Sequence, residues 1–91
     1  AAARANTTIG VVAVNAALTP GEARRLAIMA QDGLARAIRP AHGPTDGDVI
    51  FALATGAKAA GDPLTLTRLG SIAADCVARA IARAVYEAAR A

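Results

Sequence analysis

The segment that decides the fold is Thr8–Val14, with the sequence TIGVVAV. Five of its seven residues are β-branched, which favours a β-strand over a helix. Its apolar residues follow one another almost without interruption, a pattern typical of a strand that is covered on both faces. We therefore expect a buried strand near the beginning of the chain.

The residues after this strand predict a helix. Thr19 is a favourable N-cap residue, Pro20 suits the first helical position, and Glu22 stands three residues after the cap, the spacing of a capping box. We expect the helix to run from Pro20 to about Ile38 and to stop before Pro40.

A second strand and a second helix complete the chain. Val49–Thr55, VIFALAT, is again apolar and predicts a buried strand, followed by a flexible connection, GAKAAGD. Asp62 is positioned to cap a last helix that begins at Pro63 and reaches about Arg90, with Gly70 as its weak point. The predicted fold class is α/β, with the order β-α-β-α.

The last helix carries one narrow polar stripe on an otherwise apolar surface. Asp75 and Arg79 form a favourable i,i+4 pair within the stripe. Such a helix is expected to be buried on more than one side, and Cys76 is expected to be a small buried hydrophobic residue. The stripe consists of Arg68, Asp75, Arg79, Arg83, Glu87 and Arg90.

The composition indicates that the chain is part of something larger. Of its 91 residues, 55% are hydrophobic, and only Phe51 and Tyr86 are aromatic. This is more apolar surface than a small fold with few elements can bury, and two strands do not make an independently stable sheet. We expect a partner that supplies further strands.

Several functions are disfavoured by the sequence. The net charge is +3, but the arginines are scattered among acidic residues, which disfavours a nucleic-acid partner. No apolar run reaches the roughly 18 residues of a membrane span, so we expect no membrane partner. The first six residues do not resemble a signal peptide. We expect a cytoplasmic location, with a periplasmic or secreted one left open. The sequence contains neither a P-loop nor a cluster of metal ligands, and we expect no cofactor and no metal.

The junction of Asn6 and Thr7 is the first candidate for chemistry. A threonine hydroxyl is a weak nucleophile unless a base lies beside it, and a threonine that begins a chain can use its own α-amino group as that base. Before cleavage, the Thr7 hydroxyl could attack the carbonyl of Asn6 and release the new N-terminus by an acyl shift and ester hydrolysis. The alternative is an ordinary strand beginning with good β-formers.

The second candidate is the group Asp46-Gly47-Asp48. Two carboxylates two residues apart at the beginning of a strand point to the same side, where they could orient a threonine hydroxyl and its amine. The alternative is a solvated turn, since Asp-Gly is a common turn pair. His42 has no serine or cysteine partner at a recognisable spacing, and we do not count it as a site residue.

Together these motifs resemble a known family. The Asn-Thr junction, TIGVV, EARRLAIMAQDGLARAI, PAH, DGD and FALATG follow one another as in the small β-subunit of the L-aminopeptidase/D-esterase family. This family includes β-peptidyl aminopeptidases and the nylon-oligomer endo-hydrolase. The resemblance covers nearly the whole chain after Arg4.

The resemblance implies a self-processing N-terminal nucleophile hydrolase. Residues 1–6 would be the end of a preceding α-subunit or an uncleaved leader, and residues 7–91 would be the β-subunit. Thr7 would be the nucleophile, Asn6-Thr7 the autocleavage site, and Asp46 and Asp48 the polar pair that orients the nucleophile. The fold implied is an αββα sandwich shared with the larger α-subunit, and the αβ units are expected to oligomerise. The implied substrates are peptides or related oligoamides.

Two other functions are kept as alternatives. One is an acyltransferase of related fold, similar to ornithine acetyltransferase, which also cuts itself before a threonine. The other is a scaffold subunit without catalytic activity. Aminopeptidase members often carry Ser and Glu where this chain has its two aspartates, so the combination with Thr7 is more similar to the nylon-hydrolase branch.

Overall fold

Two parallel strands and a layer of helices form the fold. In a computed structural model, which describes residues 7–38, 47–59 and 62–90, strand β1 is Ile9–Ala17 and strand β2 is Val49–Ala59. Between them lie helices α1 (Pro20–Ala30) and α2 (Asp32–Ala37), and helix α3 (Pro63–Arg90) follows β2. The α/β class and the order of strands and helices are confirmed, with one helical segment divided into two.

The strands pair in parallel with a constant offset of forty residues from Ile9↔Val49 to Val14↔Ala54. The register shifts between Val14 and Ala16. Strand β2 extends past the predicted end at Thr55 as far as Ala59, through the first four residues of the segment expected to form a flexible connection. Gly56 lies within this extension with a φ of 79°, a left-handed conformation that glycine adopts without steric cost.

Helix α1 begins as the sequence predicts. The Thr19 N–H donates to Glu22 Oε1 at 2.9 Å, and the Glu22 N–H donates to Thr19 Oγ1 at 3.2 Å, which completes the capping box. The helical segment is interrupted at Gln31, where the N–H is shared between the carbonyls of Ala27 and Ile28. The prediction of one continuous helix to Ile38 is therefore wrong.

The hydrophobic core lies between the sheet and the helices. Leu26 and Leu34 are fully buried, and they pack with Val12 and Ile50 from the strands and with Ala73 and Val77 from α3. Only one face of the sheet is covered by described residues. On the other face Ile9, Val11, Phe51 and Leu53 are 57–69% exposed, so the expectation of strands covered on both faces does not hold within the described residues.

Helix α3 has the predicted bounds, and the Asp62 carboxylate caps it by accepting from the Thr65 N–H at 3.1 Å. Its predicted burial is wrong for the described chain. The buried residues are confined to one stripe, and Cys76 is exposed.

The ion pairs on α3 also differ from the prediction. Asp75 pairs with Arg36 of α2 at 2.6 Å, and the i,i+4 pair on the helix is Arg83–Glu87 at 3.0 Å. The packing of α2 beside α3 brings Arg36 within reach of Asp75, so a tertiary contact takes the place of the expected Asp75–Arg79 pair.

Candidate functional site

The residues of interest lie where the two parallel strands begin. Parallel strands start at the same edge of a sheet, so the residues before Ile9 and those before Val49 are brought side by side. The Val49 N–H donates to the Thr8 carbonyl at 2.9 Å, which extends the pairing beyond the first residue of β1. The strand pairing thus joins two sites that are forty residues apart in the sequence.

Asp48 is the side chain that joins the two strand ends. Its Oδ1 accepts a hydrogen bond from the Thr8 N–H at 3.1 Å, in a partly buried setting. Hydrogen bonds to an ionised acceptor are stronger than neutral ones, so this contact fixes the backbone at Thr8. Both backbone polar groups of Thr8 are therefore directed towards β2.

Thr7 is exposed and lies one residue before this anchor. Continuing the offset of the strands by two residues brings Thr7 level with Gly47, beside Asp48. A glycine there adds no side chain between the two strand ends. The predicted nucleophile and one of its two predicted carboxylates are thus neighbours.

The remaining predicted site residues lie outside the described residues. These are Asn6, on the other side of the proposed cleavage point, and Asp46, the second carboxylate. His42, which the sequence analysis set aside, lies there as well. Among the residues that the structure describes, no group of three His, Cys, Asp or Glu side chains could hold a metal ion.

Thr8 is a contributor that the sequence analysis did not single out. Thr8 contributes through its backbone N–H and carbonyl, and a pattern of residue types does not reveal backbone hydrogen bonds. The signal for this contact in the sequence is a pair of apolar strands forty residues apart. One is preceded by Thr-Thr and the other by Gly-Asp.

An apolar groove of about 710 Å³ begins at Thr8. Gly10 and Ile50 line it on the side of the sheet, and Ile38, Ile81 and Val85 line it on the side of the helices. A methyl group on Gly10 would lie 2.7 Å from Ile50 Cδ1, so a side chain there would require the flexible end of Ile50 to shift. No helix in the described ranges is long and apolar enough to span a membrane.

Comparison with known proteins assigns the family. The sequence model of peptidase family S58 matches residues 1–91. The chain belongs to peptidase family S58. This confirms at family level the resemblance found in the sequence, and it agrees with a strand edge at which a hydroxyl and a carboxylate lie together.

Relatives of this S58 chain are described as aminopeptidases. An uncharacterized aminopeptidase of Mycobacterium tuberculosis (strain ATCC 25618 / H37Rv) is 56% identical over 94 residues, which cover 91% of this chain and 27% of the relative. One of Mycobacterium leprae (strain TN) is 52% identical over 94 residues, covering 91% and 26%. The chain thus spans about a quarter of the length of the curated relatives that it matches.

Proposed function

We propose that this chain is the catalytic β-segment of a self-processing N-terminal nucleophile amidohydrolase. The observation that carries the proposal is the hydrogen bond from the Thr8 N–H to Asp48, which holds Thr7 at the open end of β1 beside a carboxylate. Membership of a peptidase family and the aminopeptidase relatives support an amide-cleaving reaction. Residues 1–6 are then the end of an α-part, and residues 7–91 are the β-part.

Self-processing would come first. The Thr7 hydroxyl attacks the Asn6 carbonyl, the amide becomes an ester on Thr7 Oγ, and the Thr7 nitrogen becomes a free amine. Water then hydrolyses the ester, which leaves a carboxylate on Asn6 and restores the Thr7 hydroxyl. The reaction breaks the Asn6–Thr7 amide bond, consumes one water molecule and needs no cofactor.

The same hydroxyl would then act on the substrate. The Thr7 α-amine takes the hydroxyl proton as Oγ attacks the substrate carbonyl, and it passes that proton to the leaving amine. The acyl group remains on Thr7 as an ester until water hydrolyses it. Asp48, together with Asp46, sets the position of the hydroxyl and the protonation of the amine. Donors for the oxyanion come from the α-part, and losing one such donor typically costs roughly 10²–10³ in rate.

The substrates proposed are peptides or related oligoamides. The proposed partner is the larger α-part made in the same precursor. The exposed sheet face with Phe51 and Leu53 supports this partner, because an apolar sheet face is stable when another layer covers it. Packing of a second sheet there would complete the αββα sandwich, and the assembled αβ units would oligomerise.

The test is the Thr7→Ala variant of the full-length precursor. We expect one uncut polypeptide and no hydrolysis of peptide amides, measured by intact mass, N-terminal sequencing and product release. Thr8→Val is the matched control, because it removes a neighbouring hydroxyl and keeps the backbone N–H that Asp48 accepts. Cutting that continues in Thr7→Ala and stops in Thr8→Val would move the nucleophile to Thr8. Acyl transfer to an added amine in place of water would identify an acyltransferase.

A further inference from the structure

The two faces of the sheet differ clearly in exposure near the beginnings of the strands. In β1, Ile9 and Val11 are 69% and 67% exposed, whereas Val12 is buried at 9%. In β2, Phe51 is exposed and its neighbour Ile50 is buried. Side chains of a strand alternate between its two faces, so the odd-numbered residues of both strands stand on the open face here.

Thr7 continues the open-face row of β1. It is exposed and lies two residues before Ile9. The pairing with β2 includes Thr8, whose carbonyl accepts the Val49 N–H, so the extended backbone reaches the residue next to Thr7. The alternation therefore places the Thr7 side chain on the open face, in the same row as Ile9.

Four positions at the strand ends form the corners of one patch on this face. Ile9 pairs with Val49, and the same offset sets Thr7 level with Gly47. Neighbouring strands lie about 4.8 Å apart, and residues two apart along one strand lie about 6.7 Å apart. Three corners carry side chains, and the fourth is a glycine. A recess thus lies directly beside the Thr7 hydroxyl, bordered by Ile9 and Val49.

The border of this recess is apolar. Ile9 and Val49 are branched aliphatic residues, and Val11 and Phe51 follow them on the same face. A charged group placed against them would lose water without gaining a partner from the described part of this face, whereas an aliphatic group would bury apolar area. An acyl group bonded to Thr7 Oγ would lie above this patch.

We propose that Gly47 is a specificity-determining residue, because its missing side chain leaves the recess that receives an aliphatic side chain of the acyl group on Thr7. The residue before the cleaved amide bond would place its branch there, against Ile9 and Val49. A side chain at position 47 would stand about 5 Å from that of Thr7 and fill the space. This inference rests on the proposed function, in which Thr7 carries the acyl group. The alternative is that Gly47 serves only the turn before β2.

The test compares the p-nitroanilides of glycine and of L-leucine as substrates of the full-length protein. The measured quantity is the ratio of kcat/KM for leucine to kcat/KM for glycine, which does not depend on the fraction of enzyme that has been cut. Gly47→Ala should lower this ratio about tenfold or more, because one methyl group in an apolar pocket discriminates to that extent. A role in the turn alone would lower both rates equally.

Gly10→Ala is the matched control for Gly47→Ala. It is the same substitution near the start of β1, but on the face towards the helices, where the added methyl group would lie 2.7 Å from Ile50 Cδ1. We expect Gly10→Ala to leave the ratio unchanged, even if it lowers stability.

Val49→Ala tests the recess from the opposite corner. It removes two methyl groups from the border and should raise kcat/KM for the p-nitroanilide of L-phenylalanine severalfold relative to that of L-leucine. This variant decides the matter if Gly47→Ala does not fold.

The possible outcomes separate this inference from the proposed function. An unchanged ratio in Gly47→Ala, with both substrates still cleaved, would overturn the inference and leave the hydrolase standing. Protein that is cut before Thr7 but does not hydrolyse the leucine substrate would also overturn the inference alone. Protein that is never cut would reject the proposed function and the inference with it.

Discussion

At the scale of single residues, Asp48 has two separable properties. Its Oδ1 accepts the Thr8 N–H, and its charge lies beside the predicted nucleophile. The Asp48→Asn variant keeps an accepting oxygen and removes the charge. We therefore expect the free energy of unfolding of the full-length protein to change by less than about 1 kcal/mol.

Activity should respond much more strongly than stability to Asp48→Asn. If the charge tunes the Thr7 amine, peptide hydrolysis should fall by roughly 10²-fold, a typical contribution of an acid–base group. Chemical denaturation and initial-rate assays on the same preparation measure the two effects. A variant with undiminished activity would show that the Asp48 charge is not needed for hydrolysis and would leave this residue a structural role. Asp48→Ala, which removes the acceptor as well, should lose stability in addition.

The site was only partly predictable from residue types. Thr7 and Asp48 stand out because a hydroxyl and a carboxylate at the beginnings of apolar strands carry recognisable chemistry. The backbone contact at Thr8 depends on the forty-residue offset of the strands, which no local pattern specifies. The apolar neighbours of Cys76 predict a buried residue, whereas it is exposed in the described part of the chain.

At the scale of the elements, Gly33 determines how closely α2 and α3 approach. A methyl group on Gly33 would meet the Ala74 carbonyl oxygen and would lie 2.7 Å from Val77 Cβ, so α3 would have to move. We expect Gly33→Ala to lower the free energy of unfolding by about 1–3 kcal/mol, although alanine is the better helix former. Thermal or urea denaturation of the full-length protein measures the change.

Gly21→Ala is the matched control for Gly33→Ala. Gly21 lies in the first turn of α1, and the nearest atom to an added methyl group is Thr19 Oγ1 at 4.0 Å. This variant should be neutral or stabilising by up to about 1 kcal/mol. Equal destabilisation by both substitutions would contradict the packing argument. Gly70→Ala should also be destabilising, because its added methyl group would meet the end of the Met29 side chain and would lie 2.9 Å from Met29 Cβ, which cannot move without the α1 backbone.

The capping box gives an independent prediction for α1. Thr19→Ala removes the acceptor for the Glu22 N–H and should cost about 1 kcal/mol of stability. Thr19→Ser keeps the hydroxyl and should cost much less. Circular dichroism with denaturant titration distinguishes the two variants, and identical losses would show that the cap contributes little.

Local signals in the sequence predict where α1 and α3 begin. Thr19 with Glu22, and Asp62 before Pro63, are caps that the sequence displays directly. The interruption at Gln31 is not evident in the sequence, because no proline precedes it and the i,i+4 spacing of Leu26, Ala30 and Leu34 continues across it. The sequence predicts a flexible connection that begins at Gly56, whereas Gly56 lies within β2. Tertiary packing decides such positions.

At the scale of the whole molecule, the open sheet face is the surface that we propose the α-part covers. Phe51 is 59% exposed and stands at the centre of an apolar surface, so a charge there would oppose packing by another layer. We expect Phe51→Asp to lower the yield of soluble, assembled full-length protein severalfold, measured by size-exclusion chromatography. Ile28→Asp, at an exposed position of α1 away from this face, is the control. Equal behaviour of the two variants would place the partner elsewhere.

The contact between Thr8 and Asp48 has a consequence for the moment of cleavage. Newly made chain ends usually fray, since each released residue regains its conformational freedom. A cut between Asn6 and Thr7 would leave the Thr8 N–H bond intact, because the amide that breaks is the preceding one. The new terminus could then rotate only about the torsions of Thr7 itself. Precursor and product would share the hydrogen bond between the Thr8 N–H and Asp48, so Thr7 would already be in position when the Asn6–Thr7 bond breaks.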